Sequence, residues 1–391
     1  MKATGNRWQA AGGWLAAGTL ALALSGCSTW NPLIAMGLMN EPANKPVALT
    51  PIKASLSPRL AWTQSVGKSL GFVFRPAIFE RRVYAIAGDG ALAIMDEDTG
   101  RSMLKVDLKK RLSGGVEIGE GLVVAGTMKG EVIAMDPSGK VLWTAAVNGE
   151  VIAPAAVSRK TVVVRTSDGR IFGLAVEDGK RKWVFQRASP SLLLRSEAGV
   201  LAVGQDVVAG YPNGKLIALD IDDGKLTWET TVTLPRGATE LERIADVAGL
   251  PVIDGANVCA AAFQSKVACF EIASRNMLWS RDLSSARALA RDDRNLYLVD
   301  DVSNVHALAK AGGASVWKQD KLLYRKLTAP LVFDRLVWVG DFEGYVHILA
   351  PDTGEIVGRI RVDSSAVTSM VPGNGGVVVQ TANGTVAFIR L

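Results

Sequence analysis

One unit of about 40 residues recurs eight times along this chain, and that repeat limits the fold more than any other feature. It is clearest in the stretches 122–143 (LVVAGTMKGEVIAMDPSGKVLW) and 207–228 (VVAGYPNGKLIALDIDDGKLTW). A short apolar strand enters a Gly turn, a second strand runs to an Asp, a second Gly turn follows, and a Trp lies on the next strand. Aligned on the first turn, the copies place Gly90, Gly130, Gly169, Gly214, Ser265, Ser303, Gly344 and Gly384 in one column, with spacings of 40, 39, 45, 51, 38, 41 and 40 residues. Four residues further on, one strand face carries Ile94, Ala134, Gly173, Ala218, Cys269, Ala307, Ile348 and Phe388, all apolar and mostly small. Such small residues are expected to let neighbouring sheets approach closely. Beyond them come Trp143, Trp183, Trp228, Trp279 and Trp317, with Leu104 and Gly358 as variants.

A unit of this length cannot bury both faces of its sheet alone, so the copies must stack. Eight of them predict an all-β, eight-bladed β-propeller of quinoprotein-like repeats. The eighth copy ends at Leu391 before its Trp strand, and the stretch 60–64 (LAWTQ) matches the missing piece. The N-terminal strand is therefore expected to complete the last blade and remove the open edge. A linear solenoid would need capping units instead of a displaced strand.

Ahead of the repeats, Lys2 and Arg7 precede an apolar run from Trp14 to Leu24, too short for a transmembrane helix of about 20 residues. The run closes on Leu24, Ser25, Gly26 and Cys27, the pattern of a bacterial lipobox. Residues 1–26 read as a lipoprotein signal peptide, Cys27 as the acylated residue, 27–57 as anchor and tether, and 58–391 as the propeller. Ser28, in place of Asp, is the sorting signal expected for the outer membrane. The mature protein would then face the periplasm from the inner leaflet, held by lipid alone. Loss of residues 1–26 leaves 42 Lys and Arg against 38 acids, a balance of about +4. These charges are interspersed, whereas a nucleic-acid binder would gather them into a basic stripe.

Two common catalytic patterns are missing from the chain, which has no His-Glu-x-x-His and no P-loop. His306 and His347 occupy equivalent strand positions in adjacent copies and read as strand-face substitutions, without the further ligands a metal needs. Asp96, Asp136, Asp220 and Glu271 recur where a strand becomes a turn, so they are expected to bind backbone N–H groups and not to act as acids or bases. Cys259 and Cys269 flank a hairpin turn, and their spacing leaves a disulfide and a pair of buried thiols both open.

Both long spacings fall between a Trp strand and the next blade's inner strand, and so lie on the same face of adjacent blades. The inserted segments are 187–199 (RASPSLLLRSEAG) and 234–250 (LPRGATELERIADVAGL). Leu192, Leu193 and Leu194 followed by Arg195 have the composition of a binding hot spot, although leucines could equally tuck beneath the blades.

With these stretches the chain resembles the BamB family, the lipoprotein propellers of the outer-membrane β-barrel assembly machinery. The resemblance rests on PSLLLR (190–195), TELERIADV (239–247), YLVD (297–300), GDFEGY (340–345) and VDSS (362–365), which the propeller repeat does not itself require. It implies a non-catalytic scaffold that docks on the POTRA domains of BamA, working beside other subunits and unfolded outer membrane protein clients. By the same resemblance the BamA contacts are Leu192, Leu194, Arg195 and Asp246, joined by Glu240 and Arg243, and no cofactor is involved. The rival class is the quinoprotein dehydrogenases, propellers that hold pyrroloquinoline quinone and Ca²⁺. They carry inserted ligands that this chain lacks.

Overall fold

A computed structural model describes residues 44–188, 190 and 192–391. Cys27 and the signal-peptide assignment lie outside these residues. The chain divides into two compact units, Met1–Lys45 and Pro46–Leu391, and the second carries the whole ring.

Among the described residues of that unit, 32 strands form eight four-stranded antiparallel sheets. Blades 1 to 7 span 77–107, 112–146, 156–185, 201–231, 252–281, 290–319 and 331–361. Blade 8 takes three strands from 367–390 and its outermost from Arg59–Ser65, which pairs antiparallel with Thr385–Arg390. The two chain ends thus meet in one sheet and close the ring, as the repeat alignment requires. Middle strands such as Leu122–Thr127 are buried on both faces, whereas outer strands such as Val141–Ala146 bury only their Trp. Each of the eight junctions between neighbouring blades holds its own apolar cluster.

Tryptophan is the fastener between blades. Trp62, Trp143, Trp183, Trp228, Trp279 and Trp317 donate their indole N–H groups to Glu97, Val176, Ile221, Ile272, Lys310 and Pro351, each in the next blade, at 2.7–3.0 Å. Five of these indoles lie over a turn glycine of that neighbour, and only Trp228 does not, the left-handed turn residue of blade 5 being Arg275. At Gly224 (φ +72°) a Cβ would stand 2.5 Å from the Trp183 ring, so only glycine fits beneath it. The column of small residues has a second purpose besides blade approach. Ala134, Gly173, Ala218, Cys269 and Ala307 directly face the tryptophans across the strand pair, leaving room for the ring. Where the outer residue shrinks to Leu104 or Gly358, its partner grows to Ile94 or Ile348.

Missing its tryptophan, blade 7 is completed by the N-terminal segment. Leu56 and Pro58 pack 3.4 and 3.5 Å from where a Gly358 Cβ would stand, and the Ser55 and Leu56 N–H groups both donate to Val357 O at 3.0 Å. Higher up, Arg325 donates to Val47 O and Arg359 to Thr50 O, each at 2.9 Å. The stretch assigned to a tether as far as residue 57 therefore meets the ring from Val47 onward, because blade 7 offers an unfilled groove and two guanidinium donors.

Those arginines belong to a buried network. Arg325 Nε and His347 Nε2 bond to Asp341 Oδ2 at 2.7 and 3.0 Å, while Arg359 Nε donates to His347 Nδ1 at 3.1 Å. Nδ1 accepts, so the imidazole is neutral with its proton on Nε2. Burial pushes the His347 pKa down; Asp341 opposes that, and the Arg359 and Arg325 charges reinforce it. A depressed folded-state pKa means that the unfolded chain takes up the proton first, so stability present above about pH 6.5 is lost as pH falls toward the folded value. The unfolding midpoint is expected to drop between pH 7.5 and pH 5, and His347→Gln, which can still donate and accept, should flatten that slope. Equal slopes in the two proteins would remove His347 as the cause.

His306 likewise sits on its strand face, bonded to Asp300 at 2.9 Å. The recurring acids bind turn N–H groups: Asp96 accepts from Thr99 (2.9 Å), Asp136 from Ser138 and Lys140 (2.9 and 3.0 Å), and Asp220 from Asp222 (2.8 Å). Glu271 departs from this pattern by accepting the Ser274 hydroxyl.

Cys259 and Cys269 are directly opposed in register and form a disulfide, with Cα atoms 4.1 Å apart. Thiol labelling of the denatured protein should detect this pair only after reduction. Replacing both by Ala is expected to cost about 2–3 kcal/mol in denaturant unfolding, the range for so short a loop.

Candidate docking surface

Two connections stand out from the other links between blades. One joins Phe185 to Leu201, the other Thr231 to Val252. Each leads from an outer strand to the next inner strand, so both emerge on one face, around the junction of blades 3, 4 and 5.

Within the second connection, Thr239 and Glu242 build a capping box. The Ala238 and Thr239 N–H groups donate to Glu242 Oε2 at 2.7 and 3.2 Å, and Glu242 N–H donates to Thr239 Oγ1 at 3.3 Å. Arg243 Nε closes the turn on Gly237 O at 3.1 Å. This half projects into solvent, whereas Ala245–Ala248 are buried as its root.

The root holds the first loop. Asp246 accepts the Leu194 N–H at 2.8 Å and the Asn213 N–H at 3.1 Å, and Ser196 Oγ donates to Ala248 O at 2.7 Å. The two segments are thus tied to each other at their roots. Leu192 is 40% exposed, Leu234 64% and Leu241 65%, the two latter being the most exposed of the large apolar residues described. Arg195, exposed on the first segment, is ion-paired to Glu150 at 3.2 Å and lies 6.0 Å from the Phe72 ring centre.

The sequence-derived contact residues thus divide into two kinds. Leu192, Arg195, Glu240 and Arg243 are exposed and Leu194 is half-buried. Asp246 is only 6% exposed, and its carboxylate faces the protein's own backbone. Leu234 and Leu241 were not singled out from sequence. Their signal was a large apolar residue in a Pro- or Gly-flanked segment without strand periodicity. Among the described residues no group of three or more His, Cys, Asp and Glu is placed to hold a metal ion.

Fold and surface together define a class: an eight-bladed propeller of quinoprotein-like repeats, closed by its N-terminal strand, that presents two mutually braced loops on one face. Residues 88–319 match the family model described as outer membrane protein assembly factor BamB. The Bordetella pertussis protein of that name is 40% identical over 371 residues, 94% of each chain, and the Escherichia coli one 32% identical over 381 residues, 94% of this chain and 95% of that protein. The chain belongs to the BamB family of outer membrane protein assembly factors. Among solved structures, BamB from Moraxella catarrhalis superposes with a TM-score of 0.80 at 25% identity, covering 86% of this chain and all of that one. Quinohemoprotein alcohol dehydrogenase from Comamonas testosteroni shares the fold at a TM-score of 0.69, with 12% identity over 85% of this chain and 76% of its own.

Proposed function

We propose that this protein is a non-catalytic scaffold lipoprotein of the outer membrane β-barrel assembly machinery, which docks on the POTRA domains of BamA through the 190–196 and 234–243 loops and so assists outer membrane protein folding and insertion. The observation that carries this reading is that three solvent-facing leucines, Leu192, Leu234 and Leu241, and the exposed Arg195 lie on two segments tied to each other through Asp246. Exposed apolar residues on a braced loop lose little conformational freedom on binding, which leaves more of the contact energy for affinity. Leu192, Leu194 and Arg195 are the core contacts in this reading, with Glu240 and Arg243 at the polar rim. Asp246 acts indirectly, by setting the height of Leu194.

Acylated at Cys27 and freed of residues 1–26, the propeller would hang in the periplasm from the inner leaflet. No bond is made or broken; the work is positional. Affinity purification of the tagged chain from detergent-solubilised outer membrane tests the reading. BamA and other machinery subunits should co-elute, and their absence would refute it.

A further inference from the structure

Arg165 ends the strand Thr161–Arg165 of blade 3, at a position where the other copies carry Ile86, Gly126, Gly210, Ala261, Val299, Gly340 and Gln380. A cation at that place is an anomaly within the repeat. It is also buried, at 9% exposure, and its Nη1, which has no solvent-accessible surface to speak of, has no hydrogen-bond partner among the described residues. Among the described residues its guanidinium has no ion pair. Asp246 and Tyr211 lie near enough to favour the charge against burial, but Asp246 is committed to the Leu194 and Asn213 N–H groups. Enclosing a charge without a counter-charge is costly, and arginine remains protonated regardless.

The place of that cation explains its cost. Arg165 lines a solvent-open cleft whose walls are Leu193, Leu194 and Ser196 from the first loop and Asp246, Val247 and Ala248 from the second. The cleft has room for one water-sized group, the size of a carboxylate oxygen.

We propose that Arg165 is the floor of a carboxylate pocket that receives an acidic side chain of the docking protein between the two loops. The inference rests on the docking reading above and adds the chemistry recognised there: the guanidinium of Arg165, a residue that lines the cleft, takes up a carboxylate oxygen in a charge-assisted bond. The apolar rim supplies adhesion, and the buried cation selects an acidic residue in one register.

The test titrates the purified full chain against BamA in detergent, with Arg165→Met and Leu192→Glu in parallel and thermal unfolding of each. Arg165→Met should weaken binding roughly 10- to 100-fold while its unfolding midpoint stays the same or rises, since the variant loses an unpaired buried charge. Neutralising BamA acids one at a time should reveal one whose loss matches that effect and adds nothing further in the Arg165→Met background. If Arg165→Met binds as the unaltered chain does while Leu192→Glu fails to bind, the pocket is refuted and docking stands. If neither variant loses affinity, the docking reading falls and takes the pocket with it. A lowered midpoint that accounts for the lost binding, or a scan that finds no such acid, also overturns the pocket.

Discussion

Leu192→Glu is expected to weaken co-purification of BamA at least about 30-fold, the scale of losing a hot-spot side chain worth 2 kcal/mol or more. The substitution removes the apolar contact and also places a charge where an interface would desolvate it, and these costs add. It should not disturb the fold, because Leu192 is 40% exposed in the free chain. Arg195→Ala should produce a smaller loss, about tenfold, with little change in stability. Its ion pair with Glu150 is solvent-exposed, and such pairs contribute about 0–1 kcal/mol to a fold. A matched control is Leu142→Glu on the outer strand of blade 2, where the leucine is similarly exposed but faces away from the loops. BamA retained by Leu192→Glu as by the unaltered chain, or lost equally from Leu142→Glu, would remove the loops from the docking surface.

The second large effect concerns the ring itself. Trp183→Ala should cost about 3–5 kcal/mol in denaturant unfolding followed by circular dichroism, the range for truncating a buried aromatic residue. Trp183 fills the space opposite Gly173, covers Gly224 and donates to Ile221 O, so its loss opens a cavity and strands a carbonyl of the next blade. Trp183→Phe keeps most of the apolar contact and loses chiefly the hydrogen bond, for about 1 kcal/mol beyond any repacking. Gly224→Ala should behave like the Ala variant of the tryptophan, because its Cβ would enter the ring and the backbone there is left-handed. Blades 3 and 4, which this tryptophan joins, also carry the two loops, so Trp183→Ala is expected to weaken BamA retention as well. An unfolding midpoint within error of the unaltered chain would show that the indole is not a fastener.

The ring was legible before any coordinates because a propeller writes its period into the chain. Every blade meets the same kind of neighbour, so the same demands recur: a left-handed residue at Gly90, Gly130 or Gly344, a small residue opposite five of the fastening tryptophans, with Phe388 opposite Trp62, and an acid binding its turn N–H groups. Closure was legible for the same reason, since the strand absent after Leu391 could be found at Arg59–Ser65. Departures from the period marked the loops by length alone. The reason for the small-residue column was only half legible, because strand register is needed to see that Ala218 faces Trp228 and Ile348 faces Gly358.

By itself, then, the sequence determined how many blades there are, where each begins, how the circle shuts and which face bears the two long loops, because these depend on local spacing that repeats. What only the tertiary structure decided depends on residues far apart in the chain meeting once: Asp246 turned inward under Leu194, Leu56 filling the groove of blade 7, Cys259 bonded to Cys269, and Arg165 lining the cleft with no ion pair among the described residues. Periodicity carries no record of such encounters, since each happens at a single junction and is set by distances in space.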